Sequence, residues 1–436
     1  MFRKRLQLGL IHMAVAMTLV PINSTLNRVM IKELAISATL VAVMASLPYL
    51  FSPIQVAIGS FSDRHPVFGR RRSPYIALGL FLTVAGVILS PEVAFLMAEN
   101  FWLGFGLGIL IFGIWGMGFN FATVSYFSLA SEISGERGRS RTIAIMFFMM
   151  ISAIIVTSIG LGRLLDPYSP ATLEQAFRIV GLLALGVGML GLLGLEPRTS
   201  SDTVAQGDVR YELRSLIRMV TGNRQVTLFF WYLILLLAAI LGQDILLEPF
   251  AGEAFDLPVQ ATTRITSIWG TCVLLSLLVA GLLEGRVAKQ TVVKTGAVAA
   301  IIAFSTIAVS GMIVSKGLFY TGVLLLGLAT GVSTVSNLSL MLDMTIAGQV
   351  GMFIGAWGMA DALARLTGSV LSGFVRDSVS QLAHDPVIGY VIVFGLEAVM
   401  LVVSLALLRR IDVSLFKRQA AQVSVVERAA IVSEAG

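Results

Sequence analysis

Apolar runs of about twenty residues recur along the whole of this 436-residue chain, and no other feature restricts its fold as tightly. A run of that length matches the ~30 Å hydrocarbon core of a bilayer as one helix. Inside hydrocarbon the backbone must satisfy its own hydrogen bonds, which leaves helices or closed barrels. About twelve such runs are read, at 8–30, 36–59, 74–96, 101–127, 141–164, 175–195, 225–247, 263–284, 292–313, 317–342, 348–374 and 388–408. Charged residues make up 13%, about half the usual share of a soluble domain. The expected class is an all-α membrane protein of twelve transmembrane helices.

Composition also excludes several functions. One cysteine, Cys272, rules out an intrachain disulfide and any cysteine metal cluster. His12, His65 and His384 are too scattered in sequence to suggest a histidine cluster. No phosphate loop ending in Lys-Ser/Thr and no metalloprotease or nucleophile-elbow motif is present, so neither ATP drive nor enzyme chemistry is expected. The net charge of +6 comes from basic residues flanking apolar spans, which argues for membrane orientation and lipid contact rather than nucleic acid. No small-residue cleavage site follows Arg3-Lys4-Arg5, so no signal peptide is expected.

Those basic residues set a topology. Arg3–Arg5, Arg64 with Arg70–Arg72, Arg137 to Arg141, and Arg198 to Arg224 fall on one side, and the alternate loops are poorer. The positive-inside rule puts both termini in the cytoplasm and requires an even number of spans. The polar loop 196–224 divides a six-helix half, 1–195, from a second, 225–410, with a cytoplasmic tail at 411–436. Within the loop, 209–220 has the spacing of an amphipathic helix lying on the membrane. Ser128-Leu129…Glu132 and Ser339-Leu340…Asp343 close spans four and ten alike, as an internal duplication would leave them.

Polar residues within spans mark candidate sites, because they are costly there. Gln243, Asp244 and Glu248 end span seven, the two acids one helical turn apart, and Pro249 and Gly252 are expected to break the helix. Either acid suits proton acceptance, or Glu248 simply caps a helix end in water. Asn23 and Asn27 share a face at the end of span one beside Arg28. In span eleven Trp357 offers an aromatic face, Asp361 and Arg365 are placed to pair, and Gly351, Gly355, Gly358, Gly368 and Gly373 permit close approach. Asn120 faces a cavity or bonds a neighbouring helix, and Glu397 is an isolated acid in span twelve.

The loop Gly59-Ser-Phe-Ser-Asp63-Arg64…Gly69-Arg70-Arg71-Arg72 resembles the inner-loop signature of the major facilitator superfamily. Gly59 is expected to allow close helix approach, Asp63 to cap or pair, and Arg64 and Arg70–Arg72 to meet lipid headgroups. INSTLNRVMIKEL, QDILLEPFAGEAF and GMFIGAWGMADALARLTGSVLSG are similar to the PucC/LhaA, or bacteriochlorophyll-delivery, family of that superfamily. The resemblance runs over essentially all of 1–410. It implies a major facilitator fold in a photosynthetic membrane, and handling of chlorophyll or bacteriochlorophyll while light-harvesting or photosystem polypeptides assemble. Gln243, Glu248 or a carbonyl would then supply oxygen to the pigment's magnesium, and His12 an imidazole, unless His12 is merely packed. The residues leave two other functions open: an ion-coupled symporter of a polar solute such as a glycoside, and a ligand-free scaffold for antenna polypeptides.

Overall fold

A computed structural model describes residues 1–197, 220–283, 287, 289–343 and 350–412. The expected amphipathic helix at 209–220 falls outside these but for its last residue, as does the tail beyond 412. Among the described residues ten helices are long and apolar enough to cross a membrane. We label the helices α1 (Phe2–Glu33), α2 (Ala38–Ala45), α3 (Leu47–Leu50), α4 (Gln55–Arg64), α5 (Ser73–Glu99), α6 (Phe101–Gly135), α7 (Arg141–Leu164) and α8 (Pro170–Leu192). The series continues with α9 (Arg224–Gly242), α10 (Leu247–Phe255), α11 (Val259–Leu283), α12 (Lys289–Met312), α13 (Lys316–Asp343), α14 (Val350–Ala383) and α15 (Pro386–Leu408). The two expected spans outside the ten coincide with the broken run α2–α4 and with α14. Pro48 and Pro53 stand in the first turns after the breaks at Ser46 and Phe51, where a missing N–H costs least.

Local chemistry fixes the ends. Asn100, Ser169, Asn223 and Asp385 each accept a backbone N–H at the start of α6, α8, α9 and α15, and Ser169 forms a reciprocal capping box with Thr172. Arg5 near one end of the chain bonds Thr142, and Asp412 near the other bonds Gln225. We call the end of the bundle that carries Asp63 and Arg72 the Asp63 end and the one that carries Asp377 the Asp377 end.

Two packing modes hold the bundle. Small residues bring α5 against α6: a Cβ on Gly79 would lie 2.4 Å from the Ala122 nitrogen. Large rings fill the Asp377 end, where Phe250 of α10 meets Phe319 of α13 and Tyr390 and Phe394 of α15 at centroid separations of 5.1–5.8 Å. Helices α1, α5, α6 and α8 pack as one group; in the other, α9 packs on α14 and α15, α12 on α13 and α15, and α11 on α13. The principal contacts across the two groups are α7 with α11 and α14 with α2 and α3. Between the groups lies a cavity of about 3440 Å³, reaching the end of α4 and the loop to Arg72 at the Asp63 end and stopping at Asn23, Ser24, Asp244 and Glu248.

Candidate functional site: the floor and latch of a central cavity

The cavity floor exists because two helices lose regular α geometry near their ends. The last part of α1 winds as π-helix over Pro21–Leu26 and again over Val29–Glu33. Such bulges release backbone groups and re-aim side chains, and they occur often at functional sites. Opposite, α9 ends in a single 3-10 turn, Gln243–Ile245, before α10 begins. The expected break at Pro249 and Gly252 is thus displaced: the irregular stretch lies upstream, and Pro249 sits in the first turn of α10, where proline is tolerated.

That offset separates the two acids. Glu248 is 3% exposed, and its Oε1 accepts hydrogen bonds from Ser24 of α1 and, at 2.7 Å, from Thr266 of α11. It therefore bridges the two helix groups through one oxygen, while Oε2 is buried with no partner among the described residues. Glu248 is a buried bridge and not a water-exposed cap. Asp244 faces a different partner: its Oδ2 lies 3.7 Å from Arg365, and Gln243 donates to its Oδ1 at 2.8 Å. Arg365 also binds Asp361 at 3.0 Å, the pairing expected in span eleven, and its guanidinium lies 5.5 Å from the Tyr49 ring centroid. One cation thus offsets two carboxylates facing the cavity, an arrangement that makes each tolerable in hydrocarbon.

Asn23 and Trp357 line the cavity with this group. Asn27 and Arg28, expected to join them, do not line it. Asn27 is fully buried, and its amide donates to the Asn23 carbonyl at 3.0 Å. Arg28, 1% exposed, turns toward the Asp377 end, where it pairs with Glu33 and donates to the Leu257 carbonyl at 3.0 Å. The π-helical turns explain both departures, since they rotate the residues after Pro21 away from α-helical register. Asn120 also stays out of the cavity. It accepts from Gln55 at 2.5 Å and donates to the Pro48 and Gly116 carbonyls, tying α6 to α3 and α4. Glu397 is 1% exposed and accepts from Ser372. His12 lies on the cavity wall among Tyr126, Phe127 and Phe147.

At the Asp377 end a cross-group latch shuts the cavity. Lys32 donates to the Gly252 carbonyl at 2.5 Å and to Asp256 at 2.9 Å. Asp377 accepts from Ser37 Oγ, Ala38 N, Thr39 N and Thr39 Oγ1 at 2.7–3.1 Å, so an acid of α14 caps α2. Arg376 joins Asp377 to Glu253 of α10. Asp256 is the exposed member, and the Lys32 ammonium holds its carboxyl below the usual carboxylate range. Sequence reading did not select Asp377, Arg376 or Glu253, because each looks like an ordinary polar helix end. The signal available was the Arg-Asp pair closing span eleven.

The Asp63 end carries a second network. Arg72, expected at lipid headgroups, is 4% exposed and binds Asp63 at 2.6 Å and Glu132 at 3.0 Å. Burial with two carboxylates serves its guanidinium better than the interface. Glu196 accepts from the backbone N–H groups of Arg71, Arg72 and Ser73 at the start of α5. Gly69 has φ +71° in the turn that joins Val67 and Arg70, a conformation that favours glycine. Arg70 Nε is buried with no partner among the described residues, and Arg64 bonds back to Ser60. A Cβ on Gly59 would meet Val124 at 3.5 Å, ordinary contact, so close approach there does not demand a glycine. In α14 the close approaches are at Gly368 and Gly373, against Ala238 and Ala38, while a Cβ on Gly358 would meet nothing within 4 Å.

Comparison with solved structures places this architecture. The nucleoside transporter NupG superposes with a TM-score of 0.69 at 16% identity, covering 93% of this chain and 98% of that one. A bacterial homologue of the human lysosomal transporter Spinster, inward-facing and unoccupied, gives 0.71 at 13% identity, covering 96% and 97%. The fold is that of the major facilitator superfamily. In sequence, "Protein PucC" of Rhodobacter capsulatus is 30% identical over 424 residues, 92% of this chain and 90% of the relative. "Protein PucC" of Cereibacter sphaeroides is 30% identical over 433 residues, 93% and 92%. "Bacteriochlorophyll synthase 44.5 kDa chain" of Rhodobacter capsulatus is 27% identical over 404 residues, 91% and 92%. The model of the family described as "PUCC protein" matches residues 25–416, and the chain belongs to that family.

Proposed function

We propose that this protein holds a chlorophyll- or bacteriochlorophyll-type tetrapyrrole in its central cavity and releases it to light-harvesting or photosystem polypeptides during assembly. It acts as a carrier or assembly factor and not as an enzyme. It works in the photosynthetic membrane with both ends of the chain on the cytoplasmic side, where Arg64, Arg71 and Arg139 surround the cavity mouth. The observation that carries the reading is the cavity itself. Its volume of about 3440 Å³ exceeds roughly threefold the upper end of the ~300–1,000 Å³ typical of small-molecule sites. Its walls are mostly apolar side chains such as Leu237, Ile240, Leu274, Leu277 and Phe148. Such walls suit a large flat hydrophobe with a hydrocarbon tail better than a sugar.

The test is purification in mild detergent from a pigment-making host, followed by an absorption spectrum. A chlorophyll-type spectrum that co-migrates with the protein is expected, together with reduced antenna assembly in a deletion strain. A colourless protein and normal antenna assembly would refute the reading. One observation favours a second reading, ion-coupled transport: Glu248 bridges both helix groups at the floor and has one oxygen unpartnered. Uptake into vesicles that depends on an ion gradient and is lost in Glu248→Gln is its signature.

A further inference from the structure

His12 is the one histidine inside the helical bundle, and neither the floor nor the latch uses it. It projects from α1, 5% exposed, onto the wall of the cavity. Tyr126 and Phe127 of α6 and Phe147 of α7 surround it at centroid separations of 5.1, 5.6 and 5.3 Å. Its Nδ1 is buried with no hydrogen-bond partner among the described residues. A buried imidazole left unpartnered costs stability that a phenylalanine at the same place would not. The rings fix its orientation, a task that a hydrogen-bond acceptor performs for most metal-binding histidines.

We infer that His12 is the axial ligand of a metallated tetrapyrrole docked against the α1–α6–α7 wall. The inference rests on the pigment-carrier reading and gives it an address. Among the described residues no three His, Cys, Asp or Glu side chains come together. A metal already held by four ring nitrogens needs only one further donor, and a neutral imidazole supplies it. With the proton on Nδ1, Nε2 keeps its lone pair for the metal. Phe127 and the exposed Phe147 offer aromatic surface to the flat macrocycle. The position is separate from the floor: Asn23 lies eleven residues further along the same helix, ~16 Å in rise. The floor carboxylates are thus left free while the macrocycle sits nearer the mouth.

Full-length protein in detergent is titrated with zinc mesoporphyrin dimethyl ester and, separately, with the metal-free porphyrin. Wild type is expected to red-shift the Soret band of the zinc form and to bind it about tenfold or more tightly than the metal-free form. His12→Phe keeps the apolar contacts, so it should still bind both forms, now equally and without the shift. His12→Gly should regain the shift when free imidazole is added. If His12→Phe retains both the shift and the preference for zinc, the ligand assignment is wrong while the carrier reading stands. If wild type binds neither porphyrin, both fall.

Discussion

Replacing Asp377 by alanine removes the strongest polar tie between the helix groups at the closed end of the cavity. Its carboxylate accepts four hydrogen bonds from Ser37, Ala38 and Thr39 across the seam, at 2.7–3.1 Å, and pairs with Arg376 at 3.0 Å. Its side chain is 13% exposed, so these bonds are largely shielded from water. Hydrogen bonds to a charged group contribute ~1.5–3 kcal/mol each but are not additive, and removing one member of a buried ion pair costs ~3–5 kcal/mol. Taking about 3 kcal/mol as the differential cost to the shut state, its population relative to a state parted at this end falls roughly 150-fold. The assay is the distance distribution between spin labels at Ala171 of α8 and Leu382 of α14, both exposed at that end, in a Cys272→Ala background. The parent should give one short distribution. Asp377→Ala should add a longer one, and Asp377→Asn, which keeps an acceptor oxygen, should fall between. Coincident distributions for all three would show that these bonds do not hold the end shut.

Other perturbations separate the floor, the latch and the packing. Arg365→Ala strands Asp244 and Asp361 together and should cost about 3 kcal/mol, more than Asp361→Asn, in detergent thermal unfolding; equal losses would contradict the shared-cation arrangement. Asp256 has a depressed pKa in the folded protein, so its bond to Lys32 contributes above the ordinary carboxylate value of ~3.9 and is lost as pH falls below it. Parting at this end should therefore acquire an acid-dependent component below about pH 4, and Asp256→Asn should reduce it in the same distance measurement, the remainder coming from Glu253 and Asp377. Gly79→Ala drives a Cβ to 2.4 Å from the Ala122 backbone and should destabilise by ~1–3 kcal/mol, whereas Gly106→Ala, with nothing within 4 Å, should stabilise by ~0.5–1 kcal/mol on the same thermal scale.

The sequence on its own determined the class of solution. Runs of twenty apolar residues admit little but membrane helices, because unpaired backbone cannot remain in hydrocarbon. It also determined that Asp361 would meet Arg365, since residues four apart on a helix are neighbours wherever that helix goes. The motifs of spans one, seven and eleven carry the family resemblance in the sequence alone. What the tertiary structure decided lies where chemistry depends on helix irregularity or on a partner remote in sequence. The π-turns of α1 took Asn27 and Arg28 out of the cavity, and the 3-10 turn at Gln243–Ile245 sent Asp244 to Arg365 and Glu248 to Ser24 and Thr266. Asp377 finds its four donors 338–340 positions away, and Arg72 is buried by Glu132, sixty positions on. Periodicity fixes which residues share a face only while a helix stays regular. Past a π-turn or a kink, and across the seam between helix groups, packing alone selects the partner.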